Sequence, residues 1–182
     1  MSTDRLGDVP ALVVIVGPIA SGKSTVADAL GRRFRKAGRQ VAVVDLDELV
    51  DTIGGFVDLT GEQFRQTQAV FGQLVGAWLE QNFDVIAHGP FFERHEDDAL
   101  LHALPDGVIL QRVLLQATYE AALERVAADP ERILSRDPDV LRWTYDRVDQ
   151  LVPTMPPSDW VFDTTTTKSQ TIVDHLAEAL LA

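Results

Sequence analysis

Cysteine is absent from the 182-residue sequence, which excludes disulfides, thiolate metal sites and cysteine nucleophiles together. Basic residues are scarce beside acidic ones, 16 against 28, and the net charge of -12 disfavours a nucleic-acid partner, because nucleic-acid binders present a basic face. Long apolar runs are also missing, since Ala11–Val16 is too short to span a membrane and the segment before it is acidic rather than signal-like. We therefore expect a cytoplasmic protein without a membrane or nucleic-acid partner.

Apolar runs alternate with helical periodicity along the chain, and this alternation predicts βαβ units around a parallel sheet. The length suits one globular domain over residues 1–182. Strands are predicted at Leu12–Val16, Val41–Asp45, Asp84–Ala87, Val108–Leu115 and Asp159–Asp163. The first helix between them has Val26, Leu30 and Phe34 at helical spacing. The prediction is an α/β fold with five strands and helices on both faces of the sheet.

Local signals mark the starts of two further helices. Thr60 and Gln63 have the spacing of a capping box, and Asp137 followed by Pro138 has the form of an N-cap with a first-turn proline. The apolar pattern after Thr60 predicts an inward helix face made of Phe64, Thr67, Phe71, Leu74, Val75 and Trp78.

The segment Gly17-Pro18-Ile19-Ala20-Ser21-Gly22-Lys23-Ser24 matches G-x-x-x-x-G-K-[ST] at every fixed position. It follows a predicted strand and opens an amphipathic helix, which is the context in which this motif cradles phosphates with backbone N–H groups. In this motif Lys23 reaches the β- and γ-phosphates, and the Ser24 hydroxyl is a ligand for Mg²⁺. The sequence has no N-K-x-D string of the kind that reads guanine in GTPases, so the predicted nucleotide is ATP.

An acidic pair, Asp45 and Asp47, lies where the second strand is predicted to end, near the phosphate loop of a parallel sheet. Alternation along a strand is expected to point the two carboxylates to the same side. One is suited to hold a Mg²⁺-bound water and the other to orient an attacking hydroxyl. We predict Asp45 as a metal ligand and Asp47 as a catalytic residue at the acceptor. The alternative is that Asp47 only caps a short helix.

The periodic pattern breaks between two Asp-Pro pairs, which predicts a small lid over about residues 129–139. Arg132 and Arg136 lie in this segment and are predicted to neutralise charge on the γ-phosphate during transfer. Arg125, just before it, is predicted to contact the nucleotide. The alternative for these arginines is a solvated, charged loop paired with its own acidic residues.

The acceptor site is predicted around the end of the third strand. His88 stands where many P-loop proteins have an aspartate that supports Mg²⁺, and an imidazole is a poor ligand for that hard cation. His88, Phe91 and Arg94 are therefore candidate substrate contacts, together with Arg65 on the helix after strand two. The alternatives are a structural histidine, a core phenylalanine and solvated arginines.

These elements, with Asp163-Thr164-Thr165 before the last helix, resemble the small P-loop kinases from around Leu12 to Ala182. Within that group the chain is most similar to the chloramphenicol phosphotransferases, through Val44–Leu49 and Trp160–Thr165, and shikimate, gluconate and adenylylsulfate kinases share the layout. The resemblance implies a three-layer α/β/α fold with a parallel sheet in the order 2-3-1-4-5. It also implies that Asp47 is the base for the acceptor hydroxyl.

The resemblance further implies that Lys23 and the lid arginines hold the phosphates, and that the adenine lies at the loop Asp163–Lys168. The predicted nucleotide contacts are Gly17, Ala20, Ser21, Gly22, Lys23, Ser24, Thr25, Arg125, Thr164 and Thr165. One departure concerns His88-Gly89-Pro90, because the family member with which we compare the chain ends strand three with aspartates. That strand end lines the acceptor pocket, so the identity of the acceptor is not predicted.

The leading hypothesis is an ATP- and Mg²⁺-dependent phosphotransferase acting on a hydroxyl of a small molecule, such as an antibiotic or a metabolite. Two alternatives remain open at this stage. One is a nucleoside or nucleotide kinase, which needs arginines at an anionic acceptor. The other is a nucleotide-binding switch or ATPase that acts through a protein partner and does not need Asp47 at an acceptor.

Overall fold

The computed structural model describes residues 9–57, 59–91, 93–129 and 137–181, without the side chains of residues 94, 95 and 97. The strands are β1 (Ala11–Val16), β2 (Val41–Asp45), β3 (Asp84–Gly89), β4 (Ile109–Gln116) and β5 (Trp160–Asp163). The helices are α1 (Lys23–Lys36), α2 (Leu46–Asp51), α3 (Gly61–Glu80), α4 (Arg94–Leu101), α5 (Tyr119–Ala128), α6 (Pro138–Leu151) and α7 (Ser169–Leu180).

The five strands form one parallel sheet in the order β2-β3-β1-β4-β5, as predicted. The register places Asp45 of β2 beside His88 of β3, and Val16 of β1 beside Gly89. The carboxyl ends of β1, β2 and β3 therefore meet at one edge, where ligands bind in folds of this type.

Alternation along β1 builds a core on each face of the sheet. Val13 and Ile15 pack with the apolar faces of α1 and α7, while Leu12, Val14 and Val16 pack with α2, α3 and α4. Every one of these β1 side chains is buried, which is typical of a central parallel strand covered on both faces. The result is the predicted three-layer arrangement, with β1 delivering the chain into the Gly17–Ser24 loop.

A third, smaller core joins that loop to the helices on either side of the predicted lid. Ala20 packs with Ala122 and Val126 of α5 and with Leu141 and Tyr145 of α6. Helix α6 begins as predicted, because Asp137 Oδ1 accepts a hydrogen bond from the Asp139 N–H and Pro138 lies in the first turn. The predicted lid arginines, Arg132 and Arg136, lie outside the described residues.

The capping box at Thr60 and Gln63 is confirmed, but the predicted inward face of α3 is partly wrong. Leu74 and Trp78 are exposed, and the buried face instead includes Gly72 and Gly76. The reason is helix α4, which the sequence pattern did not predict. A Cβ on Gly72 would lie 2.5 Å from the Ala99 carbonyl oxygen, so glycine lets α4 pack directly against the α3 backbone. Within the described residues, no helix is long and apolar enough to cross a membrane.

Candidate active site

The Gly17–Ser24 loop has a backbone that ordinary side chains would not permit. A Cβ on Gly17 would lie 2.3 Å from the Leu115 carbonyl oxygen of β4, so this position must be glycine. Gly22 has φ +93, and Ala20 adopts φ +60, a left-handed conformation that is uncommon outside glycine. The loop therefore folds back tightly between β1 and α1.

The start of helix α1 offers hydrogen-bond donors beside this loop. Helix α1 begins after Gly22 without any side-chain cap, so its first-turn N–H groups have no intrahelical acceptor. These donors and the positive end of the helix dipole form an anion site. The Lys23 ammonium lies over the loop and donates to the Gly17 oxygen at 2.9 Å and to the Pro18 oxygen at 3.1 Å. The arrangement fits a nucleotide polyphosphate.

The carbonyl groups at the apex of the loop are held from outside by α5 and α6. Arg125 Nη1 of α5 donates to the Ala20 oxygen at 2.8 Å, and the Tyr145 hydroxyl of α6 donates to the Ile19 oxygen at 3.0 Å. Arg125 and Tyr145 therefore fix the orientation of two peptide groups of the loop, while the Ser21 N–H donates to the Pro18 oxygen at 3.2 Å. The predicted residues Ala20 and Arg125 therefore help to shape the loop.

Arg125 also links the loop to the segment after β5. Its Nη1 lies 3.0 Å from the Thr164 hydroxyl, and its Nη2 donates to the Thr164 oxygen at 2.6 Å. A cleft of about 530 Å³ opens at this junction, lined by Ser21, Gly22, Thr25, Arg125 and residues 164–169. Its position next to the phosphate loop fits the predicted adenine site.

A second cavity, of about 420 Å³, lies on the other side of the phosphate loop and shares Gly22 and Thr25 with the cleft. We call it the acceptor cavity. It contains Lys23 and Ser24 of the loop together with six residues from elsewhere in the chain: Asp47, Phe56, Pro90, Val140, Trp143 and Thr144. The catalytic lysine and aspartate predicted from sequence therefore meet in one space.

Asp47 lines this cavity, and one of its carboxylate oxygens is buried. Its Oδ1 has no hydrogen-bond partner among the described residues, which is rare for a buried polar atom and points to a ligand. Burial raises the pKa of Asp47, and the nearby Lys23 ammonium partly opposes that rise. A carboxyl with a raised pKa and an unused oxygen is suited to accept a proton or a hydrogen bond from an incoming hydroxyl.

Asp45 has a different environment from the one predicted. The chain turns into α2 at Leu46, so the strand alternation expected between Asp45 and Asp47 is wrong, because a helix start and not a strand separates them. Asp45 Oδ1 caps α2 by accepting from the Asp47 N–H at 2.9 Å, and it does not line the acceptor cavity. Asp45, rather than Asp47, is therefore the residue that caps the short helix.

His88 is buried beside Asp45 instead of facing a substrate. It is 3% exposed, and its Nδ1 lies 3.4 Å from Asp45 Oδ1 without a hydrogen-bond partner among the described residues. Burial lowers the pKa of His88, and the Lys23 ammonium lowers it further, so the imidazole is neutral at neutral pH. The structure therefore places His88 behind the carboxylates, not in the lining of the acceptor cavity.

Two other predicted substrate contacts also lie elsewhere. Phe91 is buried and packs on Phe71 with ring centroids 5.6 Å apart, because its side chain fills the core beneath α3. Arg65 is exposed and donates to Glu62 at 2.7 Å across one helical turn. The side chain of the third, Arg94, is outside the described part of the structure.

The apolar walls of the acceptor cavity were missed by sequence reasoning. Trp143 lies off the buried stripe of α6, which is formed by Leu141, Tyr145 and Val148. A tryptophan on the polar side of an amphipathic helix indicates a binding surface, and this signal was present in the sequence. Phe56 follows Gly54 and Gly55 in an irregular connection, where no periodic pattern exists to mark it.

Comparison with known proteins gives one family and a set of related folds. The model of the AAA domain family matches residues 12–151. Among solved structures, a gluconokinase from Sinorhizobium meliloti 1021 superposes with a TM-score of 0.68 at 19% identity, covering 94% of this chain and 92% of that one. A shikimate kinase from Acinetobacter baumannii, in complex with shikimate, gives 0.66 at 19% identity, with 96% and 94% covered.

An APS kinase from Mycobacterium tuberculosis, in complex with AMPPNP and APS, has a TM-score of 0.69 at 12% identity and covers 96% of this chain and 99% of its own. At these identities the likeness shows a shared fold. No curated protein sequence matches the chain.

Proposed function

The chain belongs to the AAA domain family and has the fold of the small P-loop kinases, and we propose that it transfers the γ-phosphoryl group of ATP to a hydroxyl of a small molecule. The observation that carries the proposal is Asp47. Asp47 lines the same cavity as Lys23 and Ser24 of the phosphate loop, and one of its carboxylate oxygens is buried without a partner among the described residues. A protein that only bound ATP would not need a carboxylate-lined cavity beside its phosphate loop.

In the proposed reaction, the acceptor oxygen forms a bond to the γ-phosphorus, and the bond from that phosphorus to the bridging oxygen breaks, so ADP leaves. The hydroxyl proton passes to the Asp47 carboxylate and then to solvent. Asp45 holds the Asp47 backbone through the α2 cap, and this fixes where the carboxylate lies. Lys23 moves from its carbonyl contacts to the phosphates, where it neutralises charge.

Mg²⁺ would stabilise the charge that develops on the phosphate oxygens. The Ser24 hydroxyl, which lines the acceptor cavity, is the residue suited to hold it. No group of three or more His, Cys, Asp or Glu in the described residues is arranged to hold a metal by itself, which fits an ion held mainly by phosphates. Asp45 is retained as a ligand through water, and Arg132 and Arg136 as phosphate contacts, on the sequence prediction alone.

The test is ATP consumption with Mg²⁺ against a panel of antibiotics, sugars, nucleosides and hydroxy acids, with the phosphorylated product identified by mass spectrometry. Lys23→Ala serves as the blank. A single acceptor whose product disappears in that variant would support the kinase. If the wild type binds ATP but no acceptor yields a product, the proposal fails and a nucleotide-binding switch is the better description.

A further inference from the structure

The acceptor cavity is apolar above a polar floor. Outside the phosphate loop, its walls are Phe56, Pro90, Val140 and Trp143, and its polar residues are Asp47 and Thr144. A cavity of this size with apolar walls and a few convergent polar groups is typical of a small-molecule site. The polar residues contact the reacting hydroxyl and the phosphates. The apolar walls therefore contact the rest of the acceptor molecule and select its chemical class.

Two aromatic side chains of these walls are exposed, Trp143 more than Phe56. Trp143 on α6 is 68% exposed, and Phe56 in the connection between α2 and α3 is 37% exposed. Ile53 and Val57, beside Phe56, are 50% and 77% exposed and enlarge the apolar surface. Large apolar side chains that converge on one cavity from separate elements are costly to leave in water, and such patches usually mark a binding site.

The described residues that line the cavity offer little to an anionic acceptor. Among the described residues that line it, Lys23 is the only cation, and that side chain serves the phosphates. Two arginines of α6 are engaged elsewhere: Arg147 donates to Glu93 at 2.9 Å, and Arg142 lies 3.4 Å from the ring centroid of Tyr119. An acceptor carboxylate would meet the Asp47 carboxylate, and among the described lining residues no cation besides Lys23 is present to pair with it, which disfavours its binding.

We infer that the acceptor is an uncharged alcohol with an aromatic or similarly flat apolar body, which packs on Trp143 and Phe56 while its hydroxyl reaches Asp47. This inference rests on the proposed kinase function for the role of the hydroxyl as the phosphoryl acceptor. It does not rest on that function for the binding itself. Trp143 and Phe56 are thereby assigned as residues that determine acceptor specificity.

Binding is tested by calorimetry in the presence of Mg²⁺ and a non-hydrolysable ATP analogue. The probes are naphthylmethanol, the same molecule carrying a ring carboxylate, and inositol as an uncharged polar alcohol. We expect naphthylmethanol to bind at least about tenfold more tightly than either of the others. Equal or tighter binding of the carboxylated probe, or of inositol, would overturn the inference, as would absence of binding by naphthylmethanol.

The variants Trp143→Ala and Phe56→Ala test the assigned residues. Each is expected to weaken naphthylmethanol binding by about tenfold, as truncation of a central aromatic contact does, while leaving affinity for the ATP analogue unchanged. The matched control is Trp78→Ala, an exposed tryptophan on α3 that does not line the acceptor cavity. If Trp143→Ala and Trp78→Ala have the same effect, the assignment is wrong.

The same probes separate this inference from the proposed function. If naphthylmethanol binds but no panel acceptor is ever phosphorylated, the kinase proposal fails and the binding inference stands. If panel acceptors are phosphorylated but the best of them are carboxylates or phosphates, the kinase proposal stands and the inference fails.

Discussion

The two ends of β3 contain buried polar groups in opposite states. At its start, Asp84 is 2% exposed and accepts three hydrogen bonds, from Arg39 Nε at 2.7 Å, Arg39 Nη2 at 2.6 Å and the Ala11 N–H at 2.9 Å. At its other end, His88 Nδ1 and the nearby Asp47 Oδ1 are buried without a hydrogen-bond partner among the described residues. We call the Asp84 end saturated, because its buried carboxylate is fully hydrogen-bonded, and the end at His88 and Asp47 unsaturated, because buried polar atoms there have no partner among the described residues.

The difference separates stability from function. A buried carboxylate that is fully hydrogen-bonded and paired holds its elements together, and here Asp84 joins β3, the start of β1 and the α1–β2 connection. A buried carboxylate with an unused oxygen destabilises the free protein and is retained where a ligand completes it. An aspartate therefore stabilises the fold at one end, as Asp84, and serves a ligand at the other, as Asp47. Replacing each of them by asparagine is the sharpest test of this difference.

The largest expected effect comes from Asp47→Asn. An amide cannot accept the hydroxyl proton, so we expect phosphoryl transfer to fall by about 10²- to 10⁴-fold, the usual contribution of a general base. Affinity for ATP should be nearly unchanged, because the phosphate loop is intact. Steady-state transfer kinetics and calorimetric ATP binding measure the two quantities. Retention of full transfer activity would show that the unsaturated end is not the catalytic one.

Asp84→Asn is the matched change at the saturated end. It leaves the Arg39 guanidinium without its carboxylate, so we expect a loss of about 2 to 3 kcal/mol in the free energy of unfolding. The transfer rate per folded molecule should remain that of the wild type, because Asp84 lies at the opposite edge of the sheet from the phosphate loop. Urea unfolding followed by tryptophan fluorescence gives the stability. A free energy of unfolding equal to that of the wild type would show that the Asp84 end of β3 does not stabilise the fold.

The sheet and the phosphate loop were predictable because each rests on a local signal. Alternating apolar runs fixed the strand order only with the family resemblance, but the G-x-x-x-x-G-K-S string and its strand–helix context were sufficient for the loop. Asp47 was predicted as a catalytic residue from its position after strand two, and it lines the acceptor cavity, while its catalytic role stays a prediction. Local motifs of this kind need no knowledge of distant contacts.

The acceptor cavity was not predictable in the same way, because its walls come together through tertiary packing. Phe56 lies in an irregular connection, and Trp143 reaches the cavity only through the way α6 packs on the loop apex. The partners of Asp45 and His88 likewise depend on the β2–β3 register and on where β2 ends. An aspartate two residues after another gives no sign of whether a strand or a helix separates them.

Tyr145→Phe tests how the phosphate loop, which lines the acceptor cavity together with Asp47, is held in shape. Burial raises the pKa of Tyr145 to about 12, so its hydroxyl remains a donor to the Ile19 oxygen throughout the working pH range. Loss of this one bond, worth about 1 kcal/mol, is expected to raise the KM for ATP about fivefold with little change in kcat. The control is Tyr119→Phe, whose ring packs edge-on against Tyr145 at 5.9 Å. Equal effects of both variants on the KM for ATP would show that the hydrogen bond from Tyr145 to the Ile19 oxygen does not specifically hold the phosphate loop.

The smallest expected effect is on the stability of Asp47→Asn, and its sign is opposite to that of Asp84→Asn. Burial raises the pKa of Asp47 in the folded protein, so ionisation at neutral pH destabilises the fold relative to the unfolded chain. The amide removes this penalty, and we expect a gain of up to about 1 kcal/mol at neutral pH. As the pH falls through the raised pKa the wild type takes up its proton, and below the ordinary aspartate pKa the gain vanishes. Urea unfolding across this range measures it, and a loss of stability at neutral pH would mean that the Asp47 oxygen is already satisfied and awaits no ligand.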